Sequence, residues 1–163
     1  MSGELTIEIG SSAKGWAAIL PDAEAILNRA AIAAWSAAGF GKAELSIQLS
    51  DDAEIRTLNR DYRGKDKPTN VLSFPAGDEG AAGRARLLGD IVLAQETIER
   101  EATAQAKTLA DHLSHLTIHG VLHLLGHDHE TETQATAMEA LETEILRGLG
   151  IADPYAVTDE PVG

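Results

Sequence analysis

The sequence predicts one domain in which helices pack on a small β-sheet, and three observations predict it. The chain has 163 residues, the length of a single domain with room for a core. Its hydrophobic fraction is 44%, but aromatic residues supply only 4%, so alanine and leucine fill the core and favour helices. Short alternating or apolar runs, each bounded by turn residues, supply the strands.

The elements follow in order. Leu5–Ile9 alternates and predicts a strand. Residues 22–38 are alanine-rich, with Asp22 near the start and Gly39 at the end, and predict a helix. Glu44–Ser50 alternates again, with Leu45, Ile47 and Leu49 on one face. Asp51 or Asp52 caps a short helix running to about Tyr62. The breakers and charges of 63–70 predict a loop. Val71–Pro75 is a short apolar strand, Gly77–Gly83 a flexible connection and Leu87–Ala94 a fourth strand. Helices are expected at about 96–106, 108–125 and 131–148, the last closed by Gly148 or Gly150. The domain is expected over 1–152, with 153–163 a flexible tail. No internal repeat is present.

Composition excludes several classes. With no cysteine there is no disulfide frame, thiolate metal site or cysteine nucleophile. No apolar run approaches ~20 residues, and the start, MSGELTIEIG, lacks a basic region followed by an apolar one. The expectation is a soluble cytoplasmic protein with no membrane partner. The net charge of −13 argues, taken alone, against nucleic acid, which is met by basic surfaces. The charge is uneven, however. Arg56, Arg60, Arg63, Lys65 and Lys67 cluster, diluted by Asp61 and Asp66. They form either a basic edge on an acidic body or an ordinary mixed-charge face.

The strongest chemical signal is His-Gly-Val-Leu-His-Leu-Leu-Gly-His-Asp-His at 119–129. His119 and His123, four residues apart, share one helix face. Gly126 can stop the helix and turn the chain, bringing His129 back toward them. Three imidazoles so placed form an open zinc site, with the fourth position left for water. All six histidines fall between 112 and 129, too many for one ion. His112 and His115 project onto the same stripe. His112 reads as peripheral. His115 is a catalytic candidate, standing behind a ligand or facing substrate; the alternative is a plain buried polar residue. Asp128 can orient a ligand imidazole or cap the next helix.

The spacing His-x3-His-x2-Gly-x2-His is that of metzincin proteases. Those enzymes carry Glu directly after the first histidine as general base, where this chain has Gly120. The ligand spacing survives and the base does not. A bound zinc could still activate water, so phosphodiester hydrolysis gains on peptide hydrolysis.

The histidine run resembles the signature of the YbeY family of bacterial endoribonucleases. The block Leu58–Pro75, LNRDYRGKDKPTNVLSFP, is similar to a second family block. Leu88–Ala94 and His115-Leu116 are family-like too. The likeness covers about residues 44–150; His127 stands where the family often has Tyr, and adds a further metal or proton group near the site. The resemblance implies a compact α+β domain with a mixed four-stranded sheet, and one zinc per chain on the three signature histidines. It implies cleavage of single-stranded RNA, in maturation of ribosomal RNA at the 3′ end of the small-subunit RNA and in ribosome quality control. Its implied partners are the small ribosomal subunit and the GTPase Era, and it places the family's functional arginine on Arg63.

The residues support such chemistry on their own terms. Charge builds on the scissile phosphate, and Arg63 could meet it bidentately; the alternative is a surface pair with Asp61 or Asp66. Lys65 and Lys67 either steer phosphates or only solvate. Asn70 and Ser73 could donate to phosphate or sugar oxygens, though Asn is also an ordinary turn residue. Gly120 is small either because a strand, a metal or substrate approaches closely, or for helix packing. Tyr62 and Phe74 are the only nearby aromatics, too few for base readout. Two other functions fit less well: a zinc hydrolase of a peptide or small molecule, and a non-catalytic ribosome-assembly factor. The latter's structural zinc would need a fourth ligand such as His127 or Asp128.

Overall fold

A computed structural model of the chain describes residues 4–13, 15–39, 41–77 and 85–155. The order is β1 (Glu4–Ser11), α1 (Gly15–Ile19), α2 (Ala23–Ala38), β2 (Lys42–Ser50), α3 (Asp52–Arg63), β3 (Val71–Pro75), β4 (Arg86–Ala94), α4 (Gln95–Ala104), α5 (Leu109–Leu124) and α6 (Glu132–Gly148). The sheet is mixed and four-stranded, in the order β1-β2-β4-β3. β1, β2 and β4 run parallel, and β3 pairs antiparallel with β4. The fold is the α+β arrangement the sequence implies. No helix among the described residues is long and apolar enough to cross a membrane.

Alternation decides which side of the sheet is covered. In β2, Ala43, Leu45, Ile47 and Leu49 are buried, while Lys42 and Glu44 are exposed. The buried face meets α2 and α5 in one core, which α6 completes through Met138, Ile145 and Leu146. A second, smaller cluster lies under α3, where Ile55 packs with Leu72, Val92 and Ala94.

Element ends follow local chemistry. Asp51, not Asp52, caps α3, accepting the Glu54 backbone N–H at 2.9 Å. Asp52 instead accepts from the Thr97 hydroxyl at 2.7 Å and from Arg100, tying α3 to α4. The helix runs through Arg63 and stops at Gly64, whose φ of 71° is left-handed. Arg63 is thus the last helical residue, where the sequence places it in the loop. Gly39 ends α2 with an extended backbone, φ −115°. Glycine is required there by proximity, because a Cβ would stand 2.2 Å from the Trp35 ring.

α1 is absent from the sequence expectation. Five residues are too few to show helical periodicity; the turn is held by buried Trp16, whose indole N–H donates to the Ser50 carbonyl at 2.8 Å. The connection expected over Gly77–Gly83 falls, from residue 78, outside the described residues, as do 156–163 of the expected tail. Asp153–Tyr155 are described, and Tyr155 is hydrogen-bonded to the body of the protein.

Candidate active site

The site begins with α5. Thr108 caps it, accepting the Asp111 backbone N–H, and the helix is buried on nearly every side. At its end the Gly126 N–H reaches the His123 carbonyl and the His127 N–H reaches Leu122, with Gly126 at φ 101°. This is the double hydrogen bond of a Schellman turn. The chain then doubles back, and Asp128 Oδ1 accepts the His129 backbone N–H at 2.7 Å. Asp128 does not cap the following helix. Thr131 does, in a capping box with Gln134, because it stands directly before the first helical residue. Asp128 is spent shaping the turn that carries His129.

His119, His123 and His129 line one cleft of about 400 Å³, together with Arg63, Ser73 and Phe74. The rings of His119 and His129 are 5.6 Å apart between centroids. Two imidazoles on one tetrahedral zinc, with Zn–N of about 2.0–2.1 Å, would have centroids roughly 5 Å apart. Burial holds the His123 pKa below its ordinary 6.5, and the neighbouring His119, His129 and Arg63 lower it further against Asp128. The neutral imidazole is the form that binds metal. Among the described residues no three His, Asp or Glu side chains form a ready-made metal-holding group. The donor set nevertheless fits zinc, with three imidazoles on one cleft and the His119 ring held from behind by the Glu142 carboxylate at 2.7 Å.

Arg63 faces the histidines from the end of α3. The aspartates that could have drawn it to the surface are engaged elsewhere: Asp66 takes Arg56 at 2.8 Å, and Asp61 takes Arg60 at 3.1 Å. Ser73 lines the cleft from β3, its hydroxyl donating to the Gly120 carbonyl at 3.5 Å. The other sequence candidates lie elsewhere. Lys65 and Lys67 are exposed and outside the cleft lining. The Asn70 amide donates to Glu101 at 2.9 Å, tying the loop to α4. Gly120 is small because β4 approaches it: a Cβ would stand 2.9 Å from Ile91 Cδ1. His127 is outside the cleft lining as well.

Behind the cleft stands Glu142, which sequence reasoning missed. It lies on α6 with 0% exposure. Oε2 is 2.7 Å from His119 Nδ1, and Oε1 is 2.7 Å from His115 Nε2. The Tyr155 hydroxyl donates to the same Oε1. Burial alone would raise this carboxyl's pKa, but the hydrogen bonds from His115, His119 and Tyr155 outweigh it and hold it at about 2. Burial and the adjacent carboxylate push the Tyr155 phenol well above its ordinary range. His115 is therefore one carboxylate away from His119 and not in the cleft lining. His112 is peripheral to the cleft, 2.8 Å from Glu101. A signal for Glu142 existed. Met138, Glu142, Ile145 and Leu146 form the buried stripe of α6, and an acid on an apolar stripe is anomalous.

Fold and cleft together define a class: α+β domains with a histidine cleft at the end of one buried helix, faced by an arginine across an antiparallel strand. The chain belongs to the YbeY family, whose model, described as Endoribonuclease YbeY, matches residues 16–150. Proteins named Endoribonuclease YbeY are similar to it over most of its length. That of Bradyrhizobium sp. is 56% identical over 142 residues, 83% of this chain and 84% of the relative. That of Paramagnetospirillum magneticum is 52% identical over 161 residues, 95% of this chain and 98% of the relative. The solution structure of TM1509 from Thermotoga maritima is similar in fold, with a TM-score of 0.53 and 25% identity. That match covers 93% of this chain and all of the other.

Proposed function

We propose that this chain is a zinc-dependent endoribonuclease specific for single-stranded RNA. It matures ribosomal RNA, at the 3′ end of the small-subunit RNA, and serves ribosome quality control. The observation that carries the reading is Arg63 facing His119, His123 and His129 in one cleft, in a chain of the YbeY family. One zinc would be held by those three histidines. When bound, zinc supplies a Lewis acid and lowers the pKa of water to about 7.

The chain's own residues supply the rest. Arg63 places a planar, permanently charged fork where a phosphate would enter, and charge growing on its oxygens is met there. Ser73 offers a hydroxyl at the same wall. The Tyr62 ring, 70% exposed at the cleft's edge and packed edge-on against Phe74, offers a face to an unstacked base, which a duplex keeps covered. Neither His127 nor Asp128 lines the cleft, which favours an open fourth position over a closed structural zinc. Gly120 has no room for a protease's glutamate, which weighs against peptide hydrolysis. Partners of the activity are ribosomal RNA, the small ribosomal subunit and the GTPase Era.

The test pairs metal analysis of the purified protein with cleavage of a single-stranded RNA before and after chelation. One equivalent of zinc, activity lost on chelation and restored by zinc is the expected result. Undiminished cleavage in the fully stripped protein would overturn the zinc reading.

A further inference from the structure

The Glu142 carboxylate is wholly buried, and every partner the structure gives it is an imidazole or a phenol. A buried anion without a cationic partner is costly. Three donors from separate places satisfy it here: His119 and His115 from α5, and Tyr155 from beyond α6. Their division between its oxygens is informative. Oε1 serves His115 and Tyr155, while Oε2 serves His119 alone, at 2.7 Å. An ionised carboxylate only accepts, so His119 must carry its proton on Nδ1. In the neutral ring, the form that binds metal, Nε2 then bears the lone pair, and this ring lines the cleft.

We propose that Glu142 is a positioning residue for the metal centre: it locks His119 in the Nδ1–H tautomer and presents Nε2 to the ion, while His115 and Tyr155 clamp the carboxylate. The buried negative charge also complements a divalent cation one imidazole away, which accounts for an acid in an apolar stripe. A carboxylate behind a ligand histidine fixes the ring and strengthens the ligand; its loss commonly costs roughly 10–100-fold in metal affinity. His115 thereby acquires a role that its sequence position suggested and its absence from the cleft obscured. Tyr155 makes the segment after α6 part of the site's support.

The inference rests on His119 being a zinc ligand, and the experiment separates the two. Zn²⁺ affinity is measured by competition with a chromophoric chelator for the full chain and for His123→Ala, Glu142→Gln and Tyr155→Phe. The His119 tautomer is read from imidazole ¹⁵N shifts of the metal-free protein. Expected are loss of stoichiometric binding in H123A, about 10–100-fold weaker binding in E142Q and a smaller loss in Y155F. The Nδ1–H form should dominate in the full chain and be mixed in E142Q. If H123A binds as the full chain does, the ligand assignment fails. If H123A loses zinc while folded E142Q keeps full affinity, the positioning role alone fails. Should E142Q not fold, the tautomer of the unaltered chain decides, and a dominant Nε2–H form there overturns the proposal.

Discussion

The Cβ that Gly120 lacks would stand 2.9 Å from Cδ1 of Ile91 and 3.3 Å from its Cγ1 and Cγ2. Ile91 is fully buried in the centre of β4, so its methyl groups have little room to yield. This contact seats α5 on the sheet and fixes the height of His119 and His123, one residue before and three after. It also accounts for the missing protease base. Gly120→Val should lower stability by about 1–3 kcal/mol, the usual cost of overpacking, measured as the shift of a denaturant midpoint. Gly120→Glu, which restores the metzincin pattern, should fail to fold and show no peptidase activity. A stable Glu variant would mean that α5 can lift off β4.

His123→Ala tests the ligand set. Its side chain lines the same cleft as His119 and His129. The variant should keep its circular dichroism and lose its equivalent of zinc. A folded H123A that retains one zinc per chain would remove His123 from the ligands.

Arg63→Lys keeps a positive charge and loses the planar fork. Arg63 is exposed at a helix end, so folding should be nearly unaffected. Loss of a bidentate contact made to the transition state should lower kcat roughly 10²–10³-fold. Unchanged kcat on a single-stranded RNA would leave Arg63 as a surface residue.

Most of the fold was legible because its signals are local. Alternation marks β1 and β2, and Asp51 and Gly126 punctuate the helices they bound. Residues that meet across elements were not legible. Asn70 reads as a phosphate donor in a loop, and only the packing of that loop on α4 delivers it to Glu101. Arg63 reads as a partner for Asp61 or Asp66 until the fold gives those acids to Arg60 and Arg56. Glu142 is hidden in the run Glu139 to Glu144, where its neighbours are solvated. The histidine spacing, by contrast, is set within α5 and its turn, and so it was readable before any tertiary contact was known.

Acid should expose the Glu142 network. The folded chain holds this carboxyl at about 2, against an ordinary 4.5, so the unfolded chain binds the proton more readily. The stability it contributes is therefore complete above pH 4.5 and lost as pH falls toward about 2. Glu142→Gln has no such group. The difference in Tm between the metal-free unaltered chain and E142Q should shrink steadily from pH 5 to pH 2.5. A difference that stays constant over that range would mean the carboxyl is not ionised in the fold.

RNA binding by the isolated chain should be weak and only mildly sensitive to salt. The chain carries −13, and at 0.01 M ionic strength, where the Debye length is about 30 Å, that charge repels a polyanion. Of the five cations at 56–67, Arg56 is paired with Asp66 and Arg60 with Asp61. Arg63, Lys65 and Lys67 remain to meet phosphates. Neutralising roughly two or three phosphates of a single strand gives a slope of log K against log salt of about −1.4 to −2. Affinity should rise when the same RNA is presented on the small ribosomal subunit, whose contacts would supply what this surface lacks. The measurement is a salt titration of binding to a short single-stranded RNA, with and without the subunit. Nanomolar affinity for the free RNA with a slope steeper than about −4 would require six or more phosphate contacts by the same rule. The charge would then have to come from cations gathered across the fold, not from the end of α3 and the loop after it.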